Sequence, residues 1–368
     1  MKLAAGNAVG LGRIPLPAWA SVLSLDAVFV AVVWQQLLMR VFCKRSTNWS
    51  EGVALGLTVW LIYVADRLLD GAKLDVQRPH TLRHRFYRRH RRLFISLWIV
   101  GLLANTLVVV RWLPMELVQN GLFLASAVLV YGASVHFTSQ RSRVTSQRSR
   151  AERLFSEGVA AENVSAGGCA AQRVACEPRA GELQWLETRL PKEVRVGVLF
   201  SLGVSLTTWT EWFSNGQAAV GSLADITATA WPLLVATCAL AVLFSWNCIL
   251  VARFDRVYDL AQAFRSIATR PDSHHNGSTR TRAQVCWAAA VVGLPLGALL
   301  LLALPLPIEI AGLASALGLL ISVFLPASGF CRRAHTAVAG SSPPMFDVRS
   351  AWVDAVLWTP PLVLLCWI

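Results

Sequence analysis

Blocks of apolar residues long enough to cross a hydrocarbon layer recur along this chain, and no other feature of it constrains the fold as tightly. They fall at roughly 17–40, 50–66, 93–110, 114–137, 196–213, 228–252, 283–304, 307–326 and 350–368. Most are about 17–25 residues long, the length a helix needs to traverse about 30 Å of bilayer core. In lipid a backbone must satisfy its own N–H and C=O groups, and the weak alternating pattern of a membrane barrel is absent, so the blocks predict helices. The expected fold is an all-α polytopic membrane bundle of nine transmembrane helices, with residues 1–368 forming a single domain in the lipid bilayer. Composition agrees: 55% of the 368 residues are hydrophobic and only 15% charged, with a mean hydropathy of +0.51. Soluble enzyme, secreted disulfide scaffold and disordered chain are excluded on those grounds.

Lys and Arg outnumber Asp and Glu by 34 to 21, a net charge of +13. In a soluble chain that excess suggests nucleic acid; here no nucleic-acid partner is expected, because the basic residues concentrate in alternate connections. Residues 1–16, 67–92, 138–195, 253–282 and 327–349 hold nearly all of them, whereas the opposite set offers mainly Arg40, Lys44, Arg45 and Arg111. The positive-inside rule then places the N-terminus in the cytoplasm and the C-terminus outside, with a bacterial cytoplasmic membrane as the expected location. Asp26 interrupts the first block and no small-residue cleavage site follows it, so the block reads as a helix rather than a signal peptide.

The connection 138–195 carries a hexapeptide duplication, Thr-Ser-Gln-Arg-Ser-Arg at 138–143 and again at 145–150. The Ala-, Gly-, Ser- and Glu-rich stretch beyond it has too few large apolar residues to offset its ordering entropy, so 139–180 is expected to be a disordered cytoplasmic insertion. The eight cysteines, at 43, 169, 176, 238, 248, 286, 331 and 366, form no CxxC pair and stand at no zinc-finger spacing with histidine.

Chemistry concentrates in the aspartates. Asp occurs only ten times, and four of the ten fall in two copies of one pattern, Asp66-Arg67-Leu68-Leu69-Asp70 and Asp255-Arg256-Val257-Tyr258-Asp259. Each copy closes an apolar block, the second and the sixth, and puts two carboxylates one helical turn apart on one face. Each is followed by an Arg-Pro step, Arg78-Pro79 and Arg270-Pro271, so the chain reads as a weak internal duplication of blocks one to four and five to eight. Two carboxylate pairs at helix ends on one membrane face suit Mg²⁺, which takes one or two carboxylates together with phosphate oxygens and water. Arg67, Arg78 and Arg256, with the run Arg83, Arg85, Arg88 and Arg89, supply the charge that phosphate oxygens require. The plainer reading is that acids and arginines just outside a span solvate its end.

These residues resemble the UbiA-type intramembrane prenyltransferases, which are similar in having nine helices, a first motif N-D-x-x-D-x-x-x-D after helix two and a second D-x-x-x-D after helix six. The topological likeness spans almost the whole chain, while the motif likeness is confined to two short stretches. On those motifs Asp66 and Asp70 match the last two acids of the first, and Asp255 and Asp259 match the second. The resemblance implies Mg²⁺ bound by these four aspartates and transfer of a prenyl group from a polyprenyl diphosphate to a lipophilic aromatic or quinone-precursor acceptor. It departs at Ile62-Tyr63, which stand where the family has Asn-Asp; Asn247, two turns before Asp255, is a candidate to supply an oxygen instead. Tyr63, Tyr258, Trp60 and Trp246 are candidates to face an allylic cation, or simply members of an interfacial belt.

Asp26 is a candidate substrate-binding residue, since an ionisable group within a span is a functional hypothesis by default; the alternative is a helix–helix hydrogen bond, for instance to Asn105. Asp354 reads as interfacial, Glu211 as facing water, and His80, His84 and Lys192 as candidate bases. Two rival functions stay open: a secondary transporter, which also uses internal repeats and intramembrane acids, and a non-catalytic lipid-binding relative, to which the Ile62-Tyr63 replacement points.

Overall fold

The computed structural model describes residues 16–74, 81–133, 191–216, 223–262, 304–324 and 348–368, together with Gly293 and Gly297. The regular elements among them are helices: α1 (Leu16–Val22), α2 (Leu25–Phe42), α3 (Trp49–Lys73), α4 (Leu82–Arg89), α5 (Arg91–Trp112), α6 (Met115–Ala133), α7 (Lys192–Gly216), α8 (Leu223–Phe254), α9 (Arg256–Gln262), α10 (Leu306–Phe324) and α11 (Val348–Trp367). Seven of these, α2, α3, α5, α6, α8, α10 and α11, are long and apolar enough to cross a membrane. The chain is an all-helical integral membrane protein. The block at 196–213 forms α7, whose serines, threonines and charged ends keep it out of the apolar seven. The block at 283–304 and the insertion at 139–180 lie outside the described residues, apart from Gly293, Gly297 and Leu304.

The chain divides into two compact units, Met1–Leu124 with Glu193–Ile368, and Ala125–Lys192. Of the second unit, the described residues are the end of α6 and residues 191–192, where the Tyr131 hydroxyl donates to the Lys192 carbonyl at 3.4 Å.

Within the first unit, α2 and α8 form the centre. Each buries 56% of its spanning window, against 11% for α5, whose leucines and valines face outward as a lipid-facing helix requires. The Trp34 indole N–H donates to the Leu357 carbonyl at 2.8 Å, and Arg40 donates to the Leu365 carbonyl at 3.0 Å. These two contacts fix α2 and α11 as parallel neighbours with their C-terminal ends at the same face. On the α7 side, Gln35 donates to Thr207 Oγ1 at 2.8 Å, Ser201 to the Thr237 carbonyl at 2.6 Å, and Trp209 to Thr237 Oγ1 at 3.0 Å. Gly197 permits the close α7–α8 approach: a Cβ there would stand 2.6 Å from Ser245 Cα.

One helix break differs from the uninterrupted spans expected from the sequence. The first block is split at Ser24, whose φ of 58° is left-handed, so α1 ends and α2 starts afresh. The sixth block is continuous in α8, which ends at Phe254 just before the second acidic motif, and α9 begins at Arg256. By contrast α3 runs on to Lys73, so Asp66 and Asp70 occupy its last two turns.

At the far end of α2, Arg45 is bidentate to Glu51 at 3.2 and 3.0 Å and also reaches Glu211 at 2.8 Å. Glu51 in turn accepts the Asn48 N–H at 2.9 Å, closing a capping box on α3. Glu211, 29% exposed, is an ion-pair partner as well as partly water-facing. Beside it burial, then the Glu211 charge, pushes the Cys43 thiol up to about 11.

Candidate functional site

The short helix α4 organises the site. Thr81 caps it, accepting the His84 N–H at 3.4 Å, and Tyr87, Phe86 and Phe94 stack at its core-facing side, with Tyr87 and Phe94 centroids 4.4 Å apart. That packing presents two consecutive residues inward. Arg83 Nη2 lies 2.7 Å from Asp255 Oδ2, with both side chains mostly buried, and His84 Nε2 approaches Asp70 Oδ2 at 4.0 Å. One turn of α4 thus touches both acidic motifs.

Arg67 stands between them. It is held by the charges of Asp66, Asp70 and Asp255, and Tyr63 lies in the same field. Its Nε is enclosed and makes no hydrogen bond, as is that of Arg256; two guanidinium groups thereby present a donor N–H with no protein acceptor beside the aspartates. Arg349 closes the rim with its guanidinium 4.5 Å over the Phe254 ring. At the α1–α2 break, Ser24 Oγ is 3.4 Å from the Tyr87 hydroxyl. Burial raises the Tyr87 hydroxyl above the ordinary tyrosine value, and the Ser24 hydrogen bond and the Arg67 charge oppose that rise.

The Asn247 amide donates to Asp354 Oδ1 at 3.0 Å, and Asp26 lies close enough for its charge to act on Asp354. Tyr63 faces this group and carries the Asp26, Asp354 and Arg67 fields at once. Asp354 is thus tied to α8 through Asn247, and Asn105, the partner offered for Asp26, instead donates to Thr58 Oγ1 at 2.9 Å.

Of the residues expected from sequence, the structure brings together Asp66, Asp70, Asp255 and Arg67 around α4, and Asp26, Tyr63 and Asn247 around Asp354. Asp259 sits in the first turn of α9, its N–H bonded to the Asp255 carbonyl at 3.0 Å. Arg78 lies outside the described residues. Sequence reasoning missed the pairing roles of Arg83 and Asp354. Arg83 was one of many arginines in its segment, whereas an Asp inside an apolar block was a signal that Asp354 did carry.

Among the described residues no three His, Cys, Asp or Glu side chains gather closely enough to hold a metal ion by themselves. Asp66, Asp70 and Asp255 lie near Arg67 and Arg83 without forming such a group. Comparison with known protein families, with curated proteins and with solved structures finds no match for this chain.

Proposed function

We propose that this protein is a divergent, UbiA-like intramembrane prenyltransferase that binds a polyprenyl diphosphate at the mouth formed by α3, α4 and the α8–α9 junction. The observation that carries this reading is the meeting of both acidic motifs on one turn of α4, through Arg83 to Asp255 and His84 to Asp70, with Arg67 between them. Asp66 and Asp70 on one side and Asp255 and Asp259 on the other are the residues that would hold Mg²⁺. When bound, that ion would neutralise diphosphate charge as the allylic C–O bond breaks. Arg67 and Arg256 direct unpaired N–H groups to phosphate oxygens, interactions strengthened by the charge of both partners. A membrane-embedded site suits a substrate whose isoprenoid tail stays in lipid, and the acceptor is accordingly lipophilic, an aromatic or quinone-precursor molecule.

A non-catalytic relative is the second reading, favoured by one observation: Ile62 is 42% exposed and Tyr63 faces Asp26 and Asp354, so neither brings a carboxylate to the mouth.

The test is binding of a non-hydrolysable prenyl diphosphate analogue to purified protein with and without Mg²⁺. Binding that requires the metal and is lost in Asp66→Asn and in Asp255→Asn supports the diphosphate site. Binding indifferent to metal and to both aspartates ends the proposal.

A further inference from the structure

Helix α5 has two faces of opposite character. Phe94, Trp98, Gly101, Asn105 and Val108 recur at helical spacing and turn toward α3. The Trp98 indole donates to the Leu61 carbonyl at 2.9 Å, Asn105 donates to Thr58 Oγ1 at 2.9 Å, and a Cβ on Gly101 would stand 3.1 Å from the Trp60 ring. The opposite face, Arg92, Ser96, Ile99, Leu103, Leu107 and Val110, is exposed along its whole length. Its aliphatic part is a surface for hydrocarbon. At about 1.5 Å per residue α5 is about 33 Å long, so Arg91 and Arg92 at its start fall where the bilayer core gives way to headgroups.

Nothing in the protein accounts for the arginines at that boundary. Arg88, Arg89, Arg91 and Arg92 are all exposed. Arg88 donates to the Leu74 carbonyl, while among the described residues the side chains of Arg89, Arg91 and Arg92 make no hydrogen bond or ion pair. No Asp or Glu occurs between Asp75 and Glu116 to neutralise them. Arg91 and Arg92 also stand in the first turn of α5, where the helix dipole opposes a cation and favours an anion, and the N-cap His90 makes no side-chain capping bond there. Arg83 and His84 turn inward on the same short helix α4, to Asp255 and Asp70. The outward arginines therefore form a surface separate from the candidate site.

We propose that this surface binds an anionic phospholipid, its phosphate held by Arg89, Arg91 and Arg92 and an acyl chain lying along Ile99, Leu103 and Leu107. Two features select that occupant. Guanidinium groups match phosphate oxygens in charge and geometry, and the exposed aliphatic stripe continues from the arginines on the same helix face. A second copy of the chain seated here would bring the same arginines with no acid from this segment to pair them. The proposal is independent of the transfer reaction.

Native mass spectrometry of the full chain, released from detergent after incubation with phosphatidylglycerol or with phosphatidylcholine of identical acyl chains, tests it. An arginine near an anionic surface contributes about fivefold in affinity. Phosphatidylglycerol is expected to bind more tightly than phosphatidylcholine, and the triple variant Arg89→Gln, Arg91→Gln, Arg92→Gln should weaken its binding by about 100-fold. The three changes remove no contact within the protein, so the thermal midpoint should match the wild type. Arg111→Gln, at the other end of α5, should leave phosphatidylglycerol binding unchanged. Equal binding of the two lipids by the wild type, a triple variant that binds as the wild type does, or an equal loss in Arg111→Gln overturns the proposal. Glycerol phosphate, which carries the phosphate without acyl chains, is expected not to displace the lipid at equal concentration. Displacement by it would assign the arginines to a free phosphate, and a lipid-free dimer lost in the triple variant would assign them to a second copy; either result overturns the lipid.

Discussion

Arg83 and Asp255 are joined at 2.7 Å across 172 residues of sequence, with side-chain exposures of only 8% and 14%. The pair ties α4, which follows the first acidic motif, to the first acid of the second. Removing one partner leaves a nearly buried charge uncompensated, which costs far more than the pair itself contributes. Arg83→Met is expected to destabilise the folded bundle by about 3 kcal/mol, seen as a lower thermal midpoint in detergent. The double variant Arg83→Met with Asp255→Leu should recover most of that loss, and a double variant as unstable as the single would contradict this account.

The Arg45 clamp at the opposite end of α2 should respond differently. Glu211 and then Glu51 raise the Arg45 guanidinium above its ordinary value. A cation raised in the folded state contributes stability at every pH below its unfolded value, and loses it only as pH climbs through the still higher folded value. Alkali within a protein's working range therefore leaves the clamp intact. Arg45 is 30% exposed, so screening applies, and Arg45→Gln is expected to cost about 1 kcal/mol at low salt and less at high salt. Unfolding midpoints of the two proteins over a salt series would check the convergence.

Cys43 offers a pH-dependent reading of the same corner. With its thiol pushed up to about 11, only about one molecule in a thousand is thiolate at pH 8, and the thiolate is the nucleophile. Alkylation of Cys43 should be slow at neutral pH and accelerate about tenfold per pH unit until near that value. Mass spectrometry of iodoacetamide-treated protein at several pH values gives the profile; rapid labelling at pH 7 would show that the corner is open.

Gly197 makes a packing prediction. An added methyl group would meet Ser245 backbone atoms of α8, with Cα at 2.6 Å, and backbone cannot swing aside as a side-chain tip can. Gly197→Ala is expected to cost about 1–3 kcal/mol, the range for overpacking. The comparison is Gly132→Ala, a glycine with open space around it, whose thermal midpoint should be unchanged or slightly higher.

The membrane spans were legible because the length of a lipid-crossing helix is written in consecutive residues, and α2, α5, α8, α10 and α11 fall close to their expected blocks. The break at Ser24 was not, since that position carries neither the Gly nor the Pro that marks an interruption. Pro232, Pro360 and Pro361, by contrast, sit inside continuous helices. The acidic motifs stood out by repetition alone. Their partners did not: Asp255 meets Arg83 and Asn247 meets Asp354 across separations that local spacing cannot encode.

The bond from Trp34 to Leu357 closes over 323 residues, and this has a consequence for how the protein is made. At about 5–20 residues per second, roughly 15–65 s separate synthesis of the indole from synthesis of its carbonyl partner. During that interval α2 rests in the insertion machinery or the bilayer with the Trp34 N–H, the Gln35 amide and the Arg40 guanidinium all still waiting for α7 and α11. A ribosome that stalls before residue 348 leaves the Trp34 indole and the Arg40 guanidinium without their α11 carbonyls.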